Sequence, residues 1–347
     1  MEGQPLVGID SLEKYYPASR DFFGRPTQYV KAVDGINLDI RRGETLGLVG
    51  ESGCGKSTLG KSILRLIEPS GGSISYQGRD ITAISKAEMR LMRQKMQMVF
   101  QDPYSSLNPR MTVYETICSP LEAFGIGDRA SREKKVMELI EYVGLSRQQM
   151  HRYPHEFSGG QRQRMIIARA LVLDPEFIVC DEPVSALDVS IRSQVLNLMQ
   201  DIQRERQLTY LFISHDLSVV KHLSDRVAVM YLGKIVELAD KKELFAAAGH
   251  PYTKALMSAI PIPDTEVKRE RVVLSGDVPS PLNPPGGCRF HTRCPYATER
   301  CSAEEPVLKT VGPGHKVACH LCKEMAEIRD KESGQDEAKG NNQRQCI

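Results

Sequence analysis

A glycine-rich segment with one lysine and one serine offers the clearest chemistry in this sequence of 347 residues. Gly50-Glu-Ser-Gly-Cys-Gly-Lys-Ser57 follows an apolar run at 44–49 and precedes a helical pattern at 56–67. Such glycines let backbone amides turn towards phosphate oxygens, and the helix N-terminus adds positive potential. Lys56 can reach the β- and γ-phosphates, and Ser57 can bind magnesium. The predicted nucleotide-binding residues are Gly50, Glu51, Ser52, Gly53, Cys54, Gly55, Lys56, Ser57 and Thr58.

Two carboxylates at the end of another apolar run complement this phosphate loop. Phe177-Ile-Val-Cys-Asp181-Glu182 places both acids where a buried strand would end. Asp181 is expected to hold magnesium, through water, and Glu182 to polarise an attacking water molecule. The pair therefore predicts hydrolysis of a nucleoside triphosphate, and not nucleotide binding alone.

A second helix start with glycines and a hydroxyl lies between these two segments. Phe157-Ser-Gly-Gly-Gln161 opens a helical pattern that runs to about residue 173. Phosphate loops also occur in metabolite kinases and GTPases, so the loop alone leaves the function class open. One nucleotide in one domain does not need two anion-binding helix starts. The second start is the feature that disfavours a plain kinase.

Taken together, these segments resemble the ABC ATPase family, whose signature motif is Leu-Ser-Gly-Gly-Gln and whose two domains pair head to tail. Phe157 stands in place of the leucine. The resemblance implies the P-loop ABC ATPase fold, an α/β fold with a mixed sheet and a helical subdomain, and the cofactors ATP and Mg2+. It also implies that the signature faces the nucleotide of a partner domain through Ser158, Gly159, Gly160 and Gln161.

Further positions match residues to which the family gives a role. Gln101 matches the glutamine that contacts magnesium and the attacking water, and His215 the histidine that contacts the γ-phosphate. With Lys56 and Glu182 they make up the implied catalytic set. Tyr16 matches the aromatic residue that stacks on adenine, although the neighbouring Tyr15 leaves the choice open.

Three longer segments resemble the ATPases of dipeptide and oligopeptide importers. They are Gln101-Asp-Pro-Tyr-Ser-Ser-Leu-Asn-Pro109, Tyr153-Pro-His-Glu-Phe157 and His250-Pro-Tyr-Thr-Lys-Ala-Leu256. The resemblance implies a second ATPase subunit, either a sister or a copy of this chain, two membrane-spanning permease subunits and an extracellular substrate-binding protein. A nickel importer of the same family and a non-transport ABC ATPase stay open as alternatives, and the cargo cannot be named.

Five cysteines fall in one region rich in glycine and proline. Cys288, Cys294, Cys301 and Cys319 can be thiolate ligands of a [4Fe–4S] cluster, and the resembling ATPases carry a C-terminal cysteine set of this arrangement. Zinc is the alternative, because Cys319-His-Leu-Cys322 is a tight pair with histidines nearby. Cys322 leaves the ligand set open.

The elements around these residues divide the chain into four parts. Strand and helix patterns alternate from 177 to 214, which is typical of a parallel sheet flanked by helices. Residues 1–260 are predicted to form the nucleotide-binding domain, with a helical subdomain at about 105–160. A linker is predicted at 261–287, a cysteine-rich module at 288–322 and a disordered polar tail at 323–347.

Composition limits the location and the partners. The formal net charge is +2, which gives no electrostatic reason to expect nucleic acid. No N-terminal export signal and no apolar run of about 20 residues are visible. With the implied permease partners, the expectation is a peripheral protein on the cytoplasmic face of the cell membrane.

Overall fold

The computed structural model describes residues 4–102, 106–260, 274 and 276–322. Its strands, in chain order, are β1 (Val7–Arg20), β2 (Pro26–Ile40), β3 (Thr45–Val49), β4 (Gly71–Tyr76), β5 (Arg79–Asp80), β6 (Met96–Val99), β7 (Phe177–Asp181), β8 (Thr209–Ser214), β9 (Arg226–Tyr231), β10 (Lys234–Asp240), β11 (Lys309–Gly312) and β12 (His315–Val317). Its α-helices are α1 (Lys56–Ile63), α2 (Lys86–Lys95), α3 (Val113–Phe124), α4 (Arg129–Tyr142), α5 (Gly159–Leu171), α6 (Val189–Arg206), α7 (Leu217–Leu223), α8 (Lys241–Ala247), α9 (Pro251–Ser258) and α10 (Glu299–Ala303).

The described strands form two sheets. A four-stranded antiparallel sheet has the order β2-β1-β4-β5, and an eight-stranded sheet has the order β11-β12-β10-β9-β3-β8-β7-β6. Strands β6, β7, β8, β3 and β9 pair in parallel, whereas β10, β11 and β12 pair antiparallel. The predicted α/β fold with a mixed sheet is therefore confirmed. Strand β2 pairs with β1 in the smaller sheet, whereas the next strand, β3, lies in the larger one.

The parallel strands bring the predicted catalytic segments to one edge of the larger sheet. Their register places Val49 beside Ser214, and Asp181 beside Ile213. The strands β3, β7 and β8 are buried along their whole length, which explains their continuous apolar composition. Loops that leave the carboxyl ends of neighbouring parallel strands meet in space, and ligands commonly bind there.

Helix α1 is shorter than its sequence pattern predicts. It ends at Ile63, because Arg65 adopts a left-handed backbone conformation with φ +47°. The Arg65 guanidinium donates to the carbonyls of Ile81 and Ile84 and pairs with Glu68. These contacts of the buried Arg65 side chain hold a turn where the sequence pattern predicts further helix. The helical region between β6 and β7 contains α3, α4 and α5, which pack together in the larger apolar core.

The cysteine-rich region, residues 288–322, is built onto the main domain. Strand β12 pairs with β10, so the β11–β12 hairpin extends the larger sheet. His315 pairs with the fully buried Glu237, whose carboxylate also accepts the backbone N–H groups of Gly249 and His250. Most of the predicted linker and the whole predicted tail lie outside the described residues. Within the described part of the chain, no helix has the length and apolar character needed to cross a membrane.

Candidate functional site

The phosphate loop lies between β3 and α1 in a backbone shape that requires glycine. Gly55 has φ +108°, and a Cβ atom there would lie 2.0 Å from the carbonyl oxygen of Ala32. At Gly50 a Cβ atom would lie 2.1 Å from the carbonyl oxygen of Met230. Both contacts are with backbone, so neither neighbour can move aside easily. Ser52 and Gly53 are exposed at the loop, whereas Cys54 is buried.

The Lys56 side chain is bonded to the backbone of the phosphate loop. The Lys56 ammonium is buried and donates to the carbonyl oxygens of Gly50, at 2.8 Å, and Glu51, at 3.0 Å. The Lys56 ammonium also lies 3.9 Å from Cys54 Sγ. Two carbonyl oxygens and a thiol do not neutralise a buried cation, whereas a phosphate oxygen would. The arrangement therefore fits a phosphate inside the loop.

Ser57 and Asp181 form the pair expected for magnesium. The Ser57 hydroxyl donates to Asp181 Oδ1 at 2.7 Å, and Asp181 is almost fully buried. Burial raises the pKa of the Asp181 carboxyl, while the Ser57 hydrogen bond and Lys61 act in the opposite direction. Hydroxyl and carboxylate oxygens are the hard ligands that Mg2+ prefers, so the residues fit this ion.

Two predicted catalytic residues converge on the carboxylate of a third, Glu182. Gln101 Nε2 donates to Glu182 Oε2 at 2.9 Å, and His215 Nδ1 lies 3.1 Å from the same oxygen. Glu182 has φ +46°, and its backbone N–H donates to the carbonyl of Ile213. The left-handed backbone at Glu182 is a strained conformation of the kind found at functional sites. It holds the side chain at the sheet edge, between the loops that follow β6 and β8.

The signature segment forms the start of helix α5. Ser158 is exposed and caps α5, where its hydroxyl and the Gln161 side chain form a capping box. Gly160 packs so closely that a Cβ atom would lie 2.3 Å from Ile191 Cγ2. In the described residues, the side-chain hydrogen bonds of Ser158 and Gln161 are made between these two residues.

The two tyrosines near the N-terminus have different partners. The Tyr15 hydroxyl donates to Asp34, and burial raises the pKa of Tyr15. Tyr16 lies beside Lys14, whose ammonium is 5.1 Å from the ring centroid. Tyr15 is thus held at its hydroxyl end by a carboxylate, and both rings lie on β1.

The cysteine-rich region does not present a metal-ligand set. Among residues 4–102, 106–260, 274 and 276–322, no group of three or more His, Cys, Asp or Glu side chains is arranged to hold a metal ion. Burial raises the pKa of Cys288 to about 11 and of Cys319 to about 12, and it also raises the pKa of Cys294. The charges of Cys294 and Cys301 contribute to the shift at Cys288, and those of Cys288 and Cys294 to the shift at Cys319, so the four cysteines of the predicted cluster, Cys288, Cys294, Cys301 and Cys319, are neighbours.

Sequence reasoning missed several residues that hold the phosphate loop from outside. The Glu51 backbone N–H donates to the Tyr252 hydroxyl at 2.8 Å, and the Glu51 carboxylate pairs with Arg293. Arg289 pairs with Asp34. Tyr252 lies in a segment whose sequence resembles importer ATPases but does not indicate a contact with the loop. The spacing of the two arginines gives no such indication either.

Comparisons with known proteins agree with this geometry. A family model described as ABC transporter matches residues 33–185, and one described as oligopeptide/dipeptide transporter, C-terminal region, matches residues 236–301. The oligopeptide transport ATP-binding protein AppF of Bacillus subtilis strain 168 is 53% identical, over 92% of this chain and 98% of AppF. YkfD of the same strain is 53% identical, over 95% of this chain and 99% of YkfD.

Solved structures give the same result for the fold. The ATP-binding cassette MJ0796, described as a dimer in a post-hydrolysis state bound to ADP and Pi, is similar with a TM-score of 0.61 and 27% identity. The similarity covers 68% of this chain and 98% of MJ0796. CbiO1 from Clostridium perfringens, described as part of the ABC transporter complex cbiONQ, also has a TM-score of 0.61, with 27% identity, over 71% of this chain and 92% of cbiO1.

Proposed function

This chain belongs to the family of ABC transporter ATP-binding proteins, and from that premise we propose that its phosphate loop binds Mg-ATP and that Glu182 is the general base for hydrolysis. The observation that carries the proposal is the convergence of Gln101 and His215 on Glu182 Oε2. This carboxylate follows directly after Asp181, which is bonded to Ser57. Asp181, the predicted magnesium ligand, and Glu182, the proposed base, are therefore adjacent at the end of β7.

Each residue of the proposed site has one task. Lys56 exchanges its two carbonyl partners for β- and γ-phosphate oxygens and stabilises the charge that develops there. Ser57 and Asp181 would hold magnesium, which would neutralise charge at the phosphates. Gln101 orients the attacking water, and Glu182 accepts its proton at the carboxylate. His215 donates a hydrogen bond to the γ-phosphate.

The test of this assignment is hydrolysis measured separately from binding. Glu182→Gln removes the proton acceptor but keeps the size and the hydrogen-bonding capacity of the side chain. We expect the purified variant to bind ATP with the affinity of the unchanged protein and to lose turnover. Normal turnover by the variant would show that another group is the base.

The cargo and the assembly are part of the proposal. We propose that the chain drives the uptake of dipeptides or oligopeptides, together with permease subunits, a second ATPase subunit and an extracellular binding protein. Support comes from AppF, which is named as an oligopeptide transport protein, and from the match to the C-terminal region model at 236–301. The dimeric cassette MJ0796 supports pairing of two ATPase chains. Copurification from membranes with permease subunits tests the assembly and the peripheral location.

A metal centre at the C-terminus is also a proposal. Cys288, Cys294, Cys301 and Cys319 would supply four thiolates to a [4Fe–4S] cluster, with zinc as the alternative. Support is limited to proximity: the charges of Cys301 and Cys294 both act to raise the pKa of Cys288. Iron, sulfide and zinc contents of anaerobically purified protein, with a visible spectrum, distinguish the two metals. Protein with neither metal would contradict the proposal.

A further inference from the structure

The cysteine-rich region contacts the phosphate loop through one arginine. Arg293 lies in a short 3-10 helix, His291–Arg293, and it is buried, with 7% of its side chain exposed. Its Nη1 donates to Glu51 Oε2 at 2.8 Å, and its Nη2 donates to Glu51 Oε1 at 3.2 Å. This two-point geometry fixes the direction of the carboxylate as well as its position. Glu51 is the second residue of the phosphate loop, so the loop is held from a region more than 200 residues away in sequence.

Buried aromatic side chains lie beside this ion pair, of which Arg293 is buried and Glu51 keeps 27% of its side chain exposed. Phe290 packs against Tyr231 and Tyr252 with ring centroids 5.3 Å and 5.4 Å apart, and all three rings are buried. Tyr252 also accepts the backbone N–H of Glu51. Glu51 is therefore held twice, at its backbone by Tyr252 and at its carboxylate by Arg293. A paired charge in such surroundings is stronger than one in water, and costly to leave unpaired.

A second arginine of the same segment holds the other side of the nucleotide site. Arg289 donates to Asp34 and to the carbonyl oxygen of Leu232. Asp34 also accepts from the Tyr15 hydroxyl, next to the predicted adenine-stacking Tyr16. The turn at Gly233 connects the two contacts, because its N–H donates to the Cys54 carbonyl and its carbonyl accepts from the Asp34 N–H.

We propose that Arg293 is a positioning residue of the nucleotide site, through which the cysteine-rich region sets the affinity for nucleotide. This inference rests on the proposed ATP site. Arg293 contacts Glu51 and not the Glu182 cluster, so it acts on the loop that binds phosphates and leaves the proton acceptor in place. Its loss should therefore raise KM and the dissociation constant, with kcat nearly unchanged. Because coupling between sites is reciprocal, ATP binding should also protect the cysteine-rich region from proteolysis.

The experiment compares full-length variants by ATP titration and steady-state hydrolysis. Arg293→Met is expected to raise the dissociation constant for Mg-ATP on the order of tenfold, in the range typical of coupling between sites. Arg293→Lys should recover part of the affinity, because an ammonium still neutralises Glu51 without the two-point bond. Arg300→Met is the matched control. Arg300 lies in the same region and pairs with Glu304 at 2.9 Å, but both side chains are largely exposed.

A cycle with Glu51→Ala keeps the inference separate from a general loss of folding. If the two residues act as a pair, the double variant should bind ATP no more weakly than the weaker single variant. Additive losses would overturn the inference, and so would unchanged affinity in folded Arg293→Met protein. Failure of the unchanged protein to bind ATP would instead refute the proposed function. Thermal unfolding of each variant measures any structural loss.

Discussion

Two helices of this protein begin with glycines and offer backbone N–H groups to an anion, but their surroundings differ. Helix α1 begins at the phosphate loop, where Lys56 is buried and Ser57 is bonded to Asp181. Helix α5 begins at Gly159, after its cap Ser158, which is exposed and bonded to Gln161 of the same helix. The first start has its catalytic partners within the chain. At the second start, the side-chain hydrogen bonds of Ser158 and Gln161 within the described residues complete the helix cap, and the resemblance predicts that this exposed start faces another chain's nucleotide.

Loss of the proposed base, Glu182, should have the largest effect. Glu182→Gln should lower kcat by about 10²- to 10⁴-fold, the usual contribution of a general base. Phosphate release measures turnover, and equilibrium dialysis measures ATP binding. Glu176→Gln is the control, because Glu176 precedes the same strand and pairs with the exposed Arg42 and Lys95. Equal losses in both variants would contradict the assignment.

Alanine in place of one glycine at each helix start should separate the two starts. Gly55→Ala forces a Cβ atom against the Ala32 carbonyl at a φ that alanine rarely adopts, so ATP binding should fall by at least about tenfold. At Gly159 a Cβ atom would lie 3.4 Å from Leu187 Cδ2, an ordinary contact, so Gly159→Ala should keep ATP binding by the isolated chain. Isothermal titration of both variants checks the difference. Similar affinities of the two variants for ATP would contradict the proposed difference between the two helix starts.

Buried His250 supports the first helix start and should make stability depend on pH. It caps α9, which carries the Tyr252 that holds Glu51, and burial lowers the pKa of His250 to about 4 from 6.5. A depressed folded-state pKa means that the unfolded chain binds the proton first. The contribution of neutral His250 to the free energy of unfolding is complete above pH 6.5 and is lost as pH falls towards 4. The total loss is about 3 kcal/mol.

His250→Asn keeps a cap acceptor and removes the titration. Its free energy of unfolding, measured with urea between pH 7 and pH 4.5, should fall less steeply than that of the unchanged protein. Parallel pH profiles for the two proteins would show that His250 does not cause the dependence.

Removal of the cap hydroxyl should have the smallest effect on stability. Ser158→Ala and Ser85→Ala each remove a capping-box serine, and each should lower the free energy of unfolding by about 1 kcal/mol. Only Ser158→Ala should also lower ATP turnover in the assembled transporter. Turnover that falls equally in both would mean that Ser158 acts only as a cap.

The sequence predicted the parts of the site that depend on a local pattern. The phosphate loop, the acidic strand end and the strand before His215 each combine an apolar run with a polar residue at its end. Parallel pairing then brings those ends together, as the convergence on Glu182 shows. What could not be predicted depends on contacts between distant segments. Nothing near Arg293 or Glu51 in sequence indicates that the two would meet.

Contacts between distant segments also decide whether the cysteines can bind a metal, and the sequence does not show these contacts. Their spacing in the sequence suggested ligands, but ligation depends on where the thiols point after β12 joins β10 and Phe290 enters the core. The spacing of the cysteines does not reveal that residues 288–322 pack against the main domain.

The most direct test of the difference between the two helix starts is the dissociation constant for Mg-ATP of the dilute isolated chain. If the second start faces a nucleotide held by another chain, as predicted, Ser158→Arg should leave this constant unchanged. Lys56→Ala should raise it strongly. If Ser158→Arg weakened binding as much as Lys56→Ala, both starts would serve the same nucleotide, and the account would be contradicted.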